Sequence, residues 1–261
     1  MVPALFAPRP DAAKRFLEFF AAQIRNPNTR KAYFRAVSRF AGWCESNGLT
    51  ELVDLEPVRG PRHVVRKGKT PVLTAEEART LLDSIPGDTV VGMRDRALIA
   101  LMVYTFARVG AVIKMRSEDV YVQGRRTWVR LHEKGGTRHE MPCHHSLDAY
   151  LNEYIDAADV ADEPKGWLFR STRARTGELT ENPLSQADVY RMIGRRALAA
   201  GIRTQIGNHT FRATGITEYL RNGGKLEIAQ RMANHESART TGLYDRRDDQ
   251  VSLDEVERIL I

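Results

Sequence analysis

The run Ala-Leu-Ile-Ala-Leu-Met-Val-Tyr-Thr-Phe-Ala from Ala97 to Ala107 constrains this chain more than any other segment. It is interrupted only by Thr105, and the pattern from Val91 to about Phe106 reads as a helix that is apolar nearly all round from Ala97 onward. Such a helix cannot lie on a surface, so other elements must enclose it, and it marks the centre of a core. It is too short for a bilayer, which needs about 20 apolar residues.

The elements available to enclose it follow from local signals. Thr74 with Glu77 forms a capping box ahead of a helix through Leu82, which opens a domain at about residue 73. Short β-favouring runs, Thr127 to Leu131 and His139 to Cys143, flank Lys134, Gly135 and Gly136 and predict a hairpin. Helices are expected over Leu147 to Ala158, Gln186 to Ala200 behind the cap Ser185, Phe211 to Arg221 ended by Gly223 and Gly224, and Lys225 to Met232. A second capping box, Ser252 with Glu255, opens a short helix running to Ile261. The expected class is mainly α with a small antiparallel β-sheet.

Upstream, Phe16, Leu17, Phe20 and Ile24, and then Tyr33, Phe34, Val37, Phe40 and Ala41, fall at helical spacing and predict an αα-hairpin joined near Asn26, Pro27 and Asn28. Two helices of this size bury too little apolar surface to stand alone. Between Pro57 and Pro71 the composition turns to Arg59, Arg62, Arg66, Lys67 and Lys69 with His63 and no acidic residue, punctuated by Gly60, Pro61 and Gly68. This is the expected interdomain linker, a solvated charge run or a contact with phosphates. The domain reading is thus 1–57, 58–72 and 73–261.

The chain has 261 residues, 42% of them hydrophobic, and 40 Lys and Arg against 33 Asp and Glu give a net charge of +7. A folded protein with a polyanionic partner, nucleic acid first, fits that balance. Cys44 and Cys143 are too few and too isolated for a disulfide framework or a zinc cluster, so a reducing cytosol is expected. Residues 1–10 lack the basic region and apolar core of a secretory signal. The expected localisation is cytoplasmic, with no membrane partner.

Near the end of the chain His209 and Arg212 stand in His-Thr-Phe-Arg, His235 in Ala-Asn-His-Glu-Ser, and Tyr244 nine positions later. Attack on a phosphodiester builds negative charge on the non-bridging oxygens, which fixed guanidinium and imidazole donors stabilise, while a tyrosine supplies a nucleophile. Taken singly, each residue has a plainer explanation: a histidine near a helix start held by Asn208, an Arg108 paired with Glu118 or Asp119, a lysine in a turn. The set is harder to dismiss. With Arg108 in Thr-Phe-Ala-Arg-Val-Gly and Lys134 in Glu-Lys-Gly-Gly-Thr-Arg, the order and setting resemble the tyrosine recombinase, or phage integrase, family over about residues 74–250.

That resemblance implies a tyrosine-recombinase-like catalytic domain behind a helical, SAM-like core-binding domain, here lacking its later helices. It makes Tyr244 the nucleophile of a 3′-phosphotyrosyl intermediate, Arg108 and Arg212 the clamp on the scissile phosphate, and Lys134 the acid for the departing 5′ oxygen. His209 and His235 would donate to the phosphate or move the tyrosine proton. No metal or nucleotide cofactor is implied. The implied partners are double-stranded DNA and further copies of the chain, four on two duplexes, with residues 252–261 docking on a neighbour. A catalytically weak DNA-binding relic and a type IB topoisomerase-like enzyme are the alternative readings. One departure stands out, because the acidic residue usual three positions after the first arginine is here Ala111.

Overall fold

The computed structural model describes residues 14, 18, 27–48, 68, 70–133, 138–173, 176–235 and 237–245. The chain divides into two compact units, 1–63 and 64–261. In the first unit the described structure is chiefly α1 (Pro27–Ser46), which starts with a proline at a position where its missing N–H costs nothing. It buries Ala41 and Cys44 and exposes Tyr33, Phe40 and Trp43. Of the expected helix over residues 11–24, only Lys14 and Glu18 are described, both helical and 3.9 Å apart as an i,i+4 ion pair.

The second unit is built around the helix that the apolar run demanded. After α2 (Ala75–Asp83), whose Thr74–Glu77 capping box forms as expected, comes α3 (Val90–Tyr104), capped by Thr89. Residues Ala97 to Met102 are buried completely, and α3 packs against α5 (His145–Ala158) and α7 (Asn208–Arg221). In its first half two charged residues, Arg94 and Asp95, are buried by pairing: Arg94 and Arg196 both bond the Asp95 carboxylate, Arg196 reaching across from α6 (Gln186–Ala199) at 2.8 Å. A buried carboxylate so matched on both oxygens keeps its hydrogen bonds while leaving water.

Between α3 and α5 lie α4 (Val109–Val112), a 3₁₀ turn at Ser117–Asp119, and an antiparallel sheet. The expected hairpin is β2 (Arg126–His132) with β3 (Arg138–Pro142), in register Val129 to Met141 and Leu131 to His139. Sequence reading did not find β1 (Val120–Gln123), which pairs with β2 across the turn at Gly124, nor the separate pair β4 (Arg170–Thr172) and β5 (Leu179–Pro183). These strands are three to five residues long and half-exposed, too short to show a period. Helices α8 (Leu226–Met232) and α9 (Ala238–Gly242) close the described chain, α9 being another element missed. The expected helix from Ser252 to Ile261 lies outside the described residues.

Candidate active site

The C-terminal end of α3 starts the site. Thr105 caps α3, and Phe106 follows with φ of 55°, a left-handed conformation that a bulky side chain adopts only when its surroundings hold it. That turn aims the Phe106 carbonyl at Arg212, and two residues later Arg108 becomes the N-terminal cap of α4. Arg108 therefore sits at a helix start rather than a helix end. Its partner is Glu133, not Glu118 or Asp119, with Nη1 donating to Oε2 at 2.8 Å. Glu118 instead meets Lys165, and Asp119 meets Arg130 and His132.

Helix α7 begins at Asn208, three residues before the sequence pattern suggested, and so carries both His209 and Arg212. Asn208 bonds the Gln186 carbonyl rather than holding His209. Arg212 is only 2% exposed, and Nη1 and Nη2 donate to the carbonyls of Phe106 and Ala233. Two backbone acceptors thus lock the guanidinium plane. Burial, then the neighbouring Arg108 charge, pulls its pKa to about 10, and the charge of Glu133 and a hydrogen bond with Tyr244 oppose that fall. Arg212 remains charged at neutral pH.

His235 arrives by a helix ending. Asn234 has φ of 45°, and the His235 N–H donates to the Gln230 carbonyl while the Asn234 N–H donates to Arg231, the paired bonds of a Schellman motif with asparagine in the left-handed position. The imidazole is buried, and its Nδ1 shares a 2.8 Å hydrogen bond with the Thr241 hydroxyl of α9. Burial, then Arg212 and Arg108, lowers its pKa to about 4. His209 lies on the open side of the site, and partial enclosure with the same two arginines lowers its pKa as well. Both imidazoles are neutral at pH 7.

Tyr244 stacks on His235 with ring centroids 5.9 Å apart and planes 7° from parallel. Its N–H donates to the Thr241 carbonyl at 2.9 Å, and its own carbonyl accepts from Thr217 of α7 at 2.9 Å. Beneath it lies a small apolar cluster of Phe106, Ile216, Leu220, Ala229 and Ala233. The structure thus brings Arg108, His209, Arg212, His235 and Tyr244 into one electrostatic neighbourhood. Lys134 lies outside the described residues, as do Arg59, Arg62, Arg66, Lys67 and Lys69.

Sequence reading missed several contributors. Glu133 is a buried carboxylate against Arg108, and no local pattern signals a pair 25 positions apart. Thr217 and Thr241 were unmarked among ordinary helical residues. His139 on β3 contacts the Met232 carbonyl, and burial, opposed by Glu133, lowers its pKa. Among the described residues, no three His, Cys, Asp or Glu side chains are placed to hold a metal ion. No helix among them is long and apolar enough to cross a membrane.

The site thus gathers two guanidiniums, two neutral imidazoles and a stacked tyrosine on a mainly α frame with a small sheet. The phage integrase family model matches residues 71–251, most of the chain, and the protein belongs to that family. The tyrosine recombinase XerD of Mycobacterium tuberculosis (strain ATCC 25618 / H37Rv) is 29% identical over 218 residues, 80% of this chain and 66% of that protein. XerD of Staphylococcus saprophyticus is 30% identical over 176 residues, 66% of this chain and 57% of that one. The chain therefore spans somewhat under two thirds of the length of such relatives. Among solved structures, the XerA recombinase superposes with a TM-score of 0.59 at 23% identity, covering 96% of this chain and 81% of its own. A lambda integrase tetramer bound to a Holliday junction gives 0.64 at 17% identity, covering 92% and 78%. At such identities these two likenesses speak for the fold.

Proposed function

We propose that this protein is a site-specific DNA recombinase that cleaves and rejoins strands through a phosphotyrosyl bond at Tyr244. The observation that carries the reading is the gathering of Arg108, Arg212, His209, His235 and Tyr244 within reach of one another's charges, with His235 stacked on Tyr244 and Arg212 fixed by two backbone carbonyls. The Tyr244 oxygen forms a bond to phosphorus as the bond to the 5′ oxygen breaks, leaving the phosphate on the 3′ side attached to protein. A free tyrosine, with a pKa near 10, needs a proton acceptor and a positive field to react. The neutral imidazoles supply an acceptor for that proton and a donor to the phosphate, while the arginines meet the charge on the non-bridging oxygens. Lys134 delivers a proton to the 5′ oxygen, so the step is balanced in protons.

The bond energy stays in the phosphotyrosyl link, and attack by the 5′ hydroxyl of a second strand completes an exchange with no nucleotide consumed. The names of the similar proteins, a tyrosine recombinase and a lambda integrase tetramer bound to a Holliday junction, support double-stranded DNA and a tetramer on two duplexes as partners. Residues 1–57 as a partial core-binding domain, the basic stretch at Arg59, Arg62, Arg66, Lys67 and Lys69 on the phosphate backbone, and residues 252–261 on a neighbouring copy complete the proposal.

The test is an adduct assay on a library of nicked suicide duplexes, in which the 5′ fragment diffuses away. Wild type leaves a DNA-linked band after denaturation; Tyr244→Phe binds the same duplex and leaves none. An adduct that survives the substitution overturns the assignment. Replacing Arg212 by Ala is expected to lower the adduct rate about 10²- to 10³-fold, the usual effect of losing one preorganised donor.

A further inference from the structure

We infer that Glu133 is the positioning residue for the arginine clamp, a carboxylate placed directly after β2 in the role that position 111 leaves vacant. The inference rests on the function proposed above. Ala111, three residues after Arg108, is buried among apolar neighbours on α4 and has no group to orient a guanidinium. Glu133, the residue directly before Lys134, is 7% exposed, and its carboxylate bonds Arg108 at 2.8 Å.

Three physical points support it. First, a carboxylate this buried is stable only with a partner, and its partner is the half-exposed Arg108, which keeps further N–H donors for a phosphate. Second, Arg108 and Arg212 are like charges in one site: burial and then the Arg108 charge lower the pKa of Arg212, and the Glu133 carboxylate, paired with Arg108, acts in the opposite sense. The carboxylate therefore holds two like charges together before DNA arrives. Third, Glu133 directly follows β2, the middle strand of the three-stranded sheet, so its ion pair ties Arg108 at the start of α4 to that sheet.

Two measurements separate this inference from the functional reading. In DNA-free protein with ¹⁵N-labelled arginine, the Arg108 Nη protons are expected to exchange slowly in wild type and to lose that protection in Glu133→Gln. Unchanged protection overturns the inference whatever the activity. On the duplex that wild type captures as an adduct, Glu133→Gln is expected to bind within twofold or more tightly, since it sheds a negative charge, and to form the adduct about 10- to 30-fold more slowly. Glu133→Asp, which keeps the charge one methylene further back, should recover part of that rate. A parallel fall in binding and rate, or no fall in rate, overturns positioning; absence of an adduct from wild type overturns the proposed function and leaves the exchange measurement to decide this point.

Discussion

Gly215 offers a severe test of how this core builds its site. It lies on α7 where that helix crosses α3, and a Cβ there would fall well inside contact with the Val103 carbonyl oxygen. The same carbon would sit 2.8 and 2.9 Å from Cδ1 and Cε1 of Phe106, where real Cβ contacts begin beyond about 3 Å. The carbonyl is backbone, so α7 itself must retreat. Overpacking of this kind costs about 1–3 kcal/mol, set against a gain of about 1 kcal/mol from alanine's helix propensity. With backbone and ring both in the way the upper end applies, giving a net loss of about 2 kcal/mol and a melting temperature lower by roughly 4–8 °C for a domain of this size. Arg212 is one turn away on the same helix and reaches back to the Phe106 carbonyl, so retreat of α7 also misplaces the guanidinium. A shift approaching 1 Å can cost about 10²-fold in rate. Calorimetry of Gly215→Ala beside Gly194→Ala is the assay, because a Cβ at Gly194, exposed on α6, meets nothing within 4 Å. The second variant should gain about 0.5–1 kcal/mol. A Gly215→Ala protein as stable as wild type would refute the close crossing of α3 and α7.

Other outcomes follow from the same geometry. Because the pKa of His235 falls from about 6.5 in the unfolded chain to about 4 in the native site, the unfolded state takes up a proton that the folded state refuses. Stability is then complete above about pH 6.5 and declines as pH falls toward 4, by on the order of 3 kcal/mol from this residue. Denaturant titrations should show a shallower decline in His235→Gln; equal slopes would contradict the buried neutral imidazole. Gly68 donates its N–H to the Leu243 carbonyl at 2.8 Å, and a Cβ there would lie 2.8 Å from the same oxygen. Gly68→Ala should therefore displace the residue before Tyr244 and slow adduct formation several-fold with little change in melting temperature, and an unchanged rate would count against that contact.

The parts of the fold that sequence reveals are those with local physical causes. The all-apolar stretch fixed α3 at the centre, and the caps at Thr74 and Ser185 set helix starts to the residue, because a side-chain oxygen and a backbone N–H three positions on are neighbours in the chain. The β2–β3 pairing was legible from two β-favouring runs flanking Gly135 and Gly136. What escaped depends on distant partners. The start of α7 at Asn208 follows a glycine with no capping side chain, the left-handed Phe106 is imposed by packing, and the Arg108–Glu133 pair joins a helix cap to a strand end. The site showed the same division. Five residues that the family resemblance singled out do gather, whereas nothing local marks the partners of the groups that orient them: Glu133 stands in the Lys134 run with no sign of Arg108, and Thr217 and Thr241 look like any other threonine.

The central claim is a bond between one oxygen and one phosphorus, and peptide mass spectrometry can locate it. Trypsin cuts after Arg239 and Arg246, so Tyr244 lies in the peptide Thr-Thr-Gly-Leu-Tyr-Asp-Arg. Nuclease and protease digestion of the trapped adduct should leave that peptide heavier by a nucleoside 3′-phosphate on Tyr244, with a free 5′ hydroxyl on the released strand. A nucleotide on any other residue, or a 5′ phosphate on the released strand, would contradict the mechanism.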